Sequence, residues 1–364
     1  FFSNIDAYLT TYNPDVWSDL FSKSQFILGG KAEYTISDYD MYAIVGYKLI
    51  HGENPISVNP DTPPLGKLLI GLGIIIFKNQ NVLSFILGVT NLIVLFSIAK
   101  LIFINKTWAL LSMFLLSLNS EFSHLMTNSN IDMPQLFFIS LSLLFFLKAQ
   151  DKPRLYALAS FFLGCVMATK FYTNSLLLLF VYFLFLLTKG SFSHFVSFTR
   201  VLPAALIPFI LSYSVTLLAN PNILDFFRLQ RWLAGWWGGN ARPPLGGILL
   251  IVLTGWWRTW WTGPEFIKVE EWSISWPLIT IFGLLSIFIA KKNQKVFLIW
   301  LWSSAYLIFI SMAPSFPRYL LAVFPFFSLL TVFLVQQLIY RFYDKISLNH
   351  ARTSTSRRTR FTAN

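Results

Sequence analysis

The chain of 364 residues is 55% apolar and only 12% charged, and it contains 38 Phe and 13 Trp. That much apolar surface exceeds what one soluble core could hide, so the class that remains is a polytopic membrane protein. A net charge of +12 raises the question of nucleic-acid binding, which the distribution of the charge has to answer.

In chain order, residues 1–78 hold no long apolar run and read as an outer loop with juxtamembrane helices and an acidic motif. The chain begins with Phe1, and a preceding membrane helix or signal segment is expected to be missing from it. Uncharged runs then follow at 79–99, 107–120, 133–147, 155–169, 171–188, 201–224, 272–290, 296–317 and 319–340, giving nine candidate spans. Several are shorter than the ~20 residues needed to cross the hydrocarbon, so their ends borrow from residues such as Glu121 and Asp132. The expected organisation is a first group of transmembrane helices at 79–224, an outer Trp-rich loop with an interfacial helix at 225–271, the last three transmembrane helices at 272–340 and a basic cytoplasmic tail at 341–364. The fold class is all-α: a polytopic membrane helical bundle with outer-face juxtamembrane helices.

Charge tests the topology, because short loops rich in Lys and Arg stay on the cytoplasmic side. If the residues before 79 face outside, the inner side collects 16 Lys and Arg against Asp151 and Asp344, while the outer side holds 12 against 14 acids. Orientation thus accounts for the whole basic excess, and a nucleic-acid partner loses its support. The parity requires that 68–77 and 243–257 lie in the outer interface without crossing, the first after a Pro-Pro turn suited to a helix start. The tail RTSTSRRTR at 352–360 reads as a disordered basic segment drawn to anionic lipid, worth ~1 kcal/mol per basic residue.

Cys165 is a lone cysteine in an apolar helix, and the four histidines show no paired ligand spacing. No metal site is assigned and no cofactor is required, although a divalent cation stays open. Polar groups gather instead on the outer side: Asp38, Asp40, Asp61, Lys67, Glu121, Asp132, Lys170, Arg228, Arg231, Arg242, Glu265, Glu270, Glu271 and Arg318. For each taken singly, capping of the topology is the simpler explanation; together, near-membrane carboxylates facing protein or water mark a site. Nine of the 13 Trp fall between 232 and 276. Most suit an interfacial belt, and a few could offer flat faces to a sugar or a prenyl chain.

The order of these motifs resembles the membrane-embedded C-fold glycosyltransferases that use polyprenyl-phosphate sugars, especially the protein O-mannosyltransferase and aminoarabinose-transferase branches. SDYDMY stands where the acidic motif of the first outer loop lies, followed by Gly52 and the turn TPPLGK; NSNIDMPQLFF carries Asp132, GCVMATK ends in Lys170, and EEWSISWPL and FPRYLLAVFP complete the series. Two departures stand out: Tyr39 follows Asp38 where the family often has Glu, and Thr62 replaces the usual His of the turn. The resemblance implies inverting transfer of a sugar from a polyprenyl-phosphate donor to a hydroxyl of a protein or lipid acceptor, in a multi-pass cell-membrane protein whose active site faces outside. It makes Asp38 or Asp40 the general base, with the balance toward Asp38. Lys67, Lys170 and Arg318 become the cations nearest the lipid phosphate, and Asp132, Glu121 and Tyr319 further substrate contacts. A flippase for a lipid-linked saccharide is the alternative, and would need access from both faces; an envelope scaffold is a third reading, in which the outer carboxylates are replaceable.

Overall fold

The computed structural model describes residues 4–240, 245–259 and 265–361. Its architecture is a bundle of apolar helices with a smaller helical unit set on one end. The small unit contains α1 (Pro14–Ser22), α2 (Asp38–Ile50) and α3 (Leu65–Phe77). The bundle is built from α4 (Val82–Ile102), α5 (Lys106–Ser117), α6 (Ser120–Met126), α7 (Asp132–Ala149), α8 (Tyr156–Thr169), α9 (Tyr172–Thr188), α10 (Phe192–Val201), α11 (Leu206–Ser212), α12 (Ile223–Asn240), α13 (Gly247–Thr254), α14 (Ser275–Leu285), α15 (Gln294–Ser311) and α16 (Phe324–Phe361).

Among the described residues, five stretches are long and apolar enough to span a membrane: Val82–Ile102, Asp132–Ala149, Phe192–Ser212, Gln294–Ser311 and Phe324–Tyr343. Shorter apolar helices at Lys106–Ser117, Pro153–Thr169, Tyr172–Thr188 and Ser275–Ala290 account for the other expected spans. Large apolar side chains such as Ile93, Leu110, Phe114, Leu187 and Phe288 stay exposed around the bundle. In water such a surface would drive association; against lipid it costs nothing.

Three expectations change. The run expected at 201–224 begins earlier, at Phe192, and includes Arg200 in the last turn of α10, where a cation favours the helix C-terminus and its long stem lets the charge reach water. It then passes through a 3-10 turn, Leu202–Ala205, where Pro203 and Pro208 remove the donors that the carbonyls of residues 199 and 204 would have used, and it breaks again at Tyr213. The expected all-helical 243–257 segment is only the short helix α13, after which Gly255 turns at φ +73° into a ribbon pairing β1 (Trp256–Arg258) with β2 (Phe266–Lys268) antiparallel. Lastly, α16 continues through the basic tail to Phe361, since neither Pro nor Gly interrupts the register after Pro325.

Two apolar cores support this arrangement. The larger runs through the bundle, where Phe146 stacks on Tyr182 at 3.9 Å and Tyr182 shares a 2.8 Å hydrogen bond with Ser142. The smaller joins Phe21, Ile36, Met41, Tyr42, Val45, Ile70 and Ile74, with Ile131 from the start of α7 reaching in. The Asn79 side chain donates to the carbonyls of Ala7 (2.9 Å) and Thr10 (2.7 Å), and Ser129 Oγ donates to the Tyr39 carbonyl (2.8 Å). These bonds tie the small unit to the bundle on both sides of α2.

The packing of α2 on α3 depends on missing side chains. A Cβ on Gly71 would lie 2.0 Å from the Gly46 carbonyl oxygen, and one on Gly46 would lie 2.4 Å from the Lys67 carbonyl oxygen. Gly71→Ala therefore forces the helices apart, with an expected loss of about 1–3 kcal/mol. Thermal unfolding in detergent should show it, with the open position Gly30→Ala as an unaffected control.

Candidate functional site

The site begins with a helix start. Ser37 caps α2: its Oγ accepts from the Asp40 N–H at 3.1 Å and donates to Asp40 Oδ2 at 2.8 Å, while Gln80 Nε2 donates to Asp40 Oδ1 at 3.3 Å. Asp40 is thus consumed by the cap. Asp38 lies two residues back, which is about 200° around the helix, so it faces the other way. There its Oδ2 accepts from Arg318 Nη2 at 2.6 Å, with the carboxyl still one-third exposed at 34%. Of the two candidate bases, only Asp38 looks into the cavity.

Arg318 comes from the 3-10 turn Pro317–Ala322 that precedes α16, and its Nε lies 3.7 Å from Asp132 Oδ2. Asp132 opens α7 and is buried, and its other oxygen pairs with the buried ammonium of Lys170, which sits in the non-helical joint between α8 and α9. A chain of alternating charge, Asp38, Arg318, Asp132 and Lys170, therefore draws together four distant parts of the sequence. Asp132 Oδ2 and Arg318 Nε are buried without a hydrogen bond, so the pair retains capacity for another polar group. Burial draws the Lys170 ammonium down from its ordinary range while Asp132 opposes that shift. Tyr319 lies beneath it, with Lys170 Nζ 4.1 Å from the ring centre.

Two residues of the sequence reading take other places. Lys67 is fully buried and donates to the Asn59 carbonyl (2.9 Å) and side chain (2.7 Å), with Asp61 at 3.6 Å. It pins the 59–61 loop instead of presenting a free cation to a phosphate. Glu121, at the start of α6, does reach the cavity, but as a buried acid whose carboxyl is pushed up to about 8, first by burial and then by the nearby charges of Glu271 and Asp132. Of the remaining outer residues, Trp260, Trp261 and Arg242 lie outside the described residues.

The sequence assigns no site role to several lining groups, although Glu271 belongs to the outer polar set and Tyr39 to the acidic motif. His124 Nδ1 lies 3.2 Å from Glu271 Oε1, placing an imidazole and a second acid beside Glu121, and the Tyr39 and Tyr42 rings complete the wall. Their positions in the chain carry no local spacing that could have linked them. The whole set bounds a cavity of about 960 Å³. Behind it lies a second, mainly apolar cavity of about 230 Å³, lined by residues including Tyr213, Leu233, Tyr306 and Phe309. Asp61, Lys170, Phe171 and Tyr319 belong to both walls, so Lys170 stands at the partition between a chamber lined with charged groups and an apolar one, while Arg318 lies on the charged side only.

The resemblance seen in the sequence is borne out by a family match over part of the chain and by a shared fold. Residues 61–223 match the dolichyl-phosphate-mannose-protein mannosyltransferase family. The fold is that of ArnT from Cupriavidus metallidurans: its apo structure superposes with a TM-score of 0.65 at 15% identity over 85% of this chain, and its complex with undecaprenyl phosphate with 0.66 at 15% over 87%. This chain spans 57% and 59% of the length of those two chains. The Archaeoglobus fulgidus oligosaccharyltransferase, solved with Zn and sulfate, gives a TM-score of 0.51 at 15% identity, over 86% of this chain and 47% of its own. No curated protein matches the sequence itself.

Two measurements test the electrostatics. Lys170→Met strands Asp132 in a buried position with only the more distant Arg318, and should cost about 3–5 kcal/mol of stability. Adding Asp132→Asn should recover part of that loss, and a double-mutant cycle on unfolding midpoints reads the coupling. For Glu121, raised from 4.5 to about 8, the folded state holds a proton that the unfolded state has released. Its contribution is therefore full below pH 4.5 and declines as pH rises to about 8. Glu121→Gln should remove that decline, so the variant gains in thermal stability relative to the parent between pH 5 and pH 8.

Proposed function

We propose that the chain is a membrane glycosyltransferase that moves a sugar from a polyprenyl-phosphate donor to a hydroxyl of a protein or lipid acceptor, with inversion. The observation that carries this reading is the partition: Lys170 and Tyr319 stand in it, with Arg318 on its charged side, where a lipid phosphate would have to lie if its prenyl chain entered the apolar chamber and its sugar the charged one. Lys170 supplies a point charge, and the Arg318 fork suits two phosphate oxygens at once. Both cations are already paired with aspartates, so an incoming phosphate competes with Asp132, whose second oxygen lacks a hydrogen bond.

The chemistry needs one proton acceptor. The acceptor hydroxyl attacks the anomeric carbon in line, the bond from that carbon to the phosphate oxygen breaks, and the electron pair leaves with the polyprenyl phosphate. The hydroxyl proton passes to Asp38, a contribution of about 10²- to 10⁴-fold. Arg318 holds one oxygen of Asp38 and so orients the carboxylate, while meeting charge that develops on the departing phosphate. Glu121, His124 and Glu271 line the same cavity, where they can bind the sugar or acceptor hydroxyls. The scheme requires no cofactor, because Lys170 and Arg318 meet the phosphate charge. The basic excess on the opposite loops orients the cavity toward the outside of the cell.

A flippase would need one site reached from both faces. The charged cavity instead lies at one end of α7, and no residue of its wall also lines the polar cleft at the other end.

Asp38→Asn should lower sugar transfer by about 10²-fold or more while leaving donor binding intact. Asp40→Asn should keep most of the activity and lose a little stability through the weakened cap. Transfer assays with a panel of radiolabelled prenyl-linked sugars, together with filter binding of the donor, separate the two effects. Full activity in Asp38→Asn would remove the proposed base.

A further inference from the structure

A second polar cavity, of about 610 Å³, lies at the opposite end of the bundle from the site above. Asp132 opens α7 and the new cleft is lined by Gln150 and Asp151 just past its end, so the two are separated by an 18-residue helix, about 27 Å of rise. The joints on either side of α9 and α15 show the same polarity. Lys170 precedes α9 and Lys189 follows it; Lys292 and Lys295 lie at the start of α15, while Arg318 lies beyond its far end.

Three lysines, Lys189, Lys292 and Lys295, line this cleft against one acid, Asp151. Asp151 reaches only Lys295, at 3.9 Å. Among the described residues, neither Lys189 nor Lys292 has a carboxylate within ion-pair distance. Lys189 lies over the Phe297 ring at 5.3 Å, which holds the ammonium in place without neutralising it. His194 is likewise set, its Nδ1 3.2 Å from the Tyr156 hydroxyl, which accepts from Gln150 Nε2 at 2.8 Å. The helices α10 and α15 both start at the rim, and their N-terminal ends add positive potential.

From this excess of oriented cations we infer that the cleft is a second anion site, built for a phosphate group and separate from the transfer site. The shared chemistry is a phosphate monoester or diester, carried either by the headgroup of an anionic phospholipid or by a soluble phosphate compound.

The test uses the full chain purified in a mild detergent, following its unfolding midpoint on titration with three probes: dioleoylphosphatidylglycerol in mixed micelles, dioleoylphosphatidylcholine in the same form, and inorganic phosphate. A ligand that binds the folded state raises the midpoint in proportion to its occupancy. The expected result is a rise with phosphatidylglycerol, none with phosphatidylcholine, and an apparent affinity weakened about tenfold or more in the double variant Lys189→Ala/Lys295→Ala. The control Lys152→Ala/Lys291→Ala removes the same charge from the same end outside the cleft, and should keep the parental affinity. A rise with inorganic phosphate that the cleft variant alone abolishes would assign the site to a soluble phosphate. Equal loss in the cleft and control variants, an equal rise with phosphatidylcholine, or no rise with any probe would overturn the inference.

Discussion

The chain of charges from Asp38 through Arg318 and Asp132 to Lys170 is the constraint on which the site depends. Asp132 and Lys170 are buried, and a charge taken out of water has to find a partner or give up its proton. Pairing therefore dictates where the ends of α2, α7 and α8 and the turn before α16 can lie relative to one another. Such a network adds little net stability compared with apolar packing of the same volume. Its value is positional, since it places two cations and a partly exposed carboxylate around one chamber.

The network also explains why the apolar and charged chambers meet where they do. Phe171 follows Lys170 directly and Tyr319 follows Arg318, so each cation brings an aromatic ring with it into the partition. Lys170 lies against the Tyr319 ring and Arg318 against Phe316, at 4.5 Å. The Tyr319 ring thus serves as a cation platform on one side and as hydrocarbon wall on the other.

The bundle was legible because apolar runs between charges are long-range evidence of lipid, independent of tertiary detail. The failures came where a local rule met an exception: Arg200 can sit within a helix because its stem reaches outward, and the aromatic stretch after Gly255 reads like an interfacial helix until β2 is found to pair with it. At the site, Asp38 and Asp40 were separable in principle, since Ser37 three residues before Asp40 marks a cap and helical rotation then turns Asp38 away from it. Lys67 was not separable, because its partner Asn59 belongs to a loop with no predictable path. The same holds for His124 and Glu271, which come together only through the fold.

The glycine contact between α2 and α3 has a bearing on motion. Backbones that touch without intervening side chains have no compressible layer between them, so the two helices must travel as a single block. Any repositioning of Asp38 when substrate enters would then carry α3 and the Lys67 anchor along with it. Accommodation would resemble the tilting of a hinged plate more than the flexing of a loop.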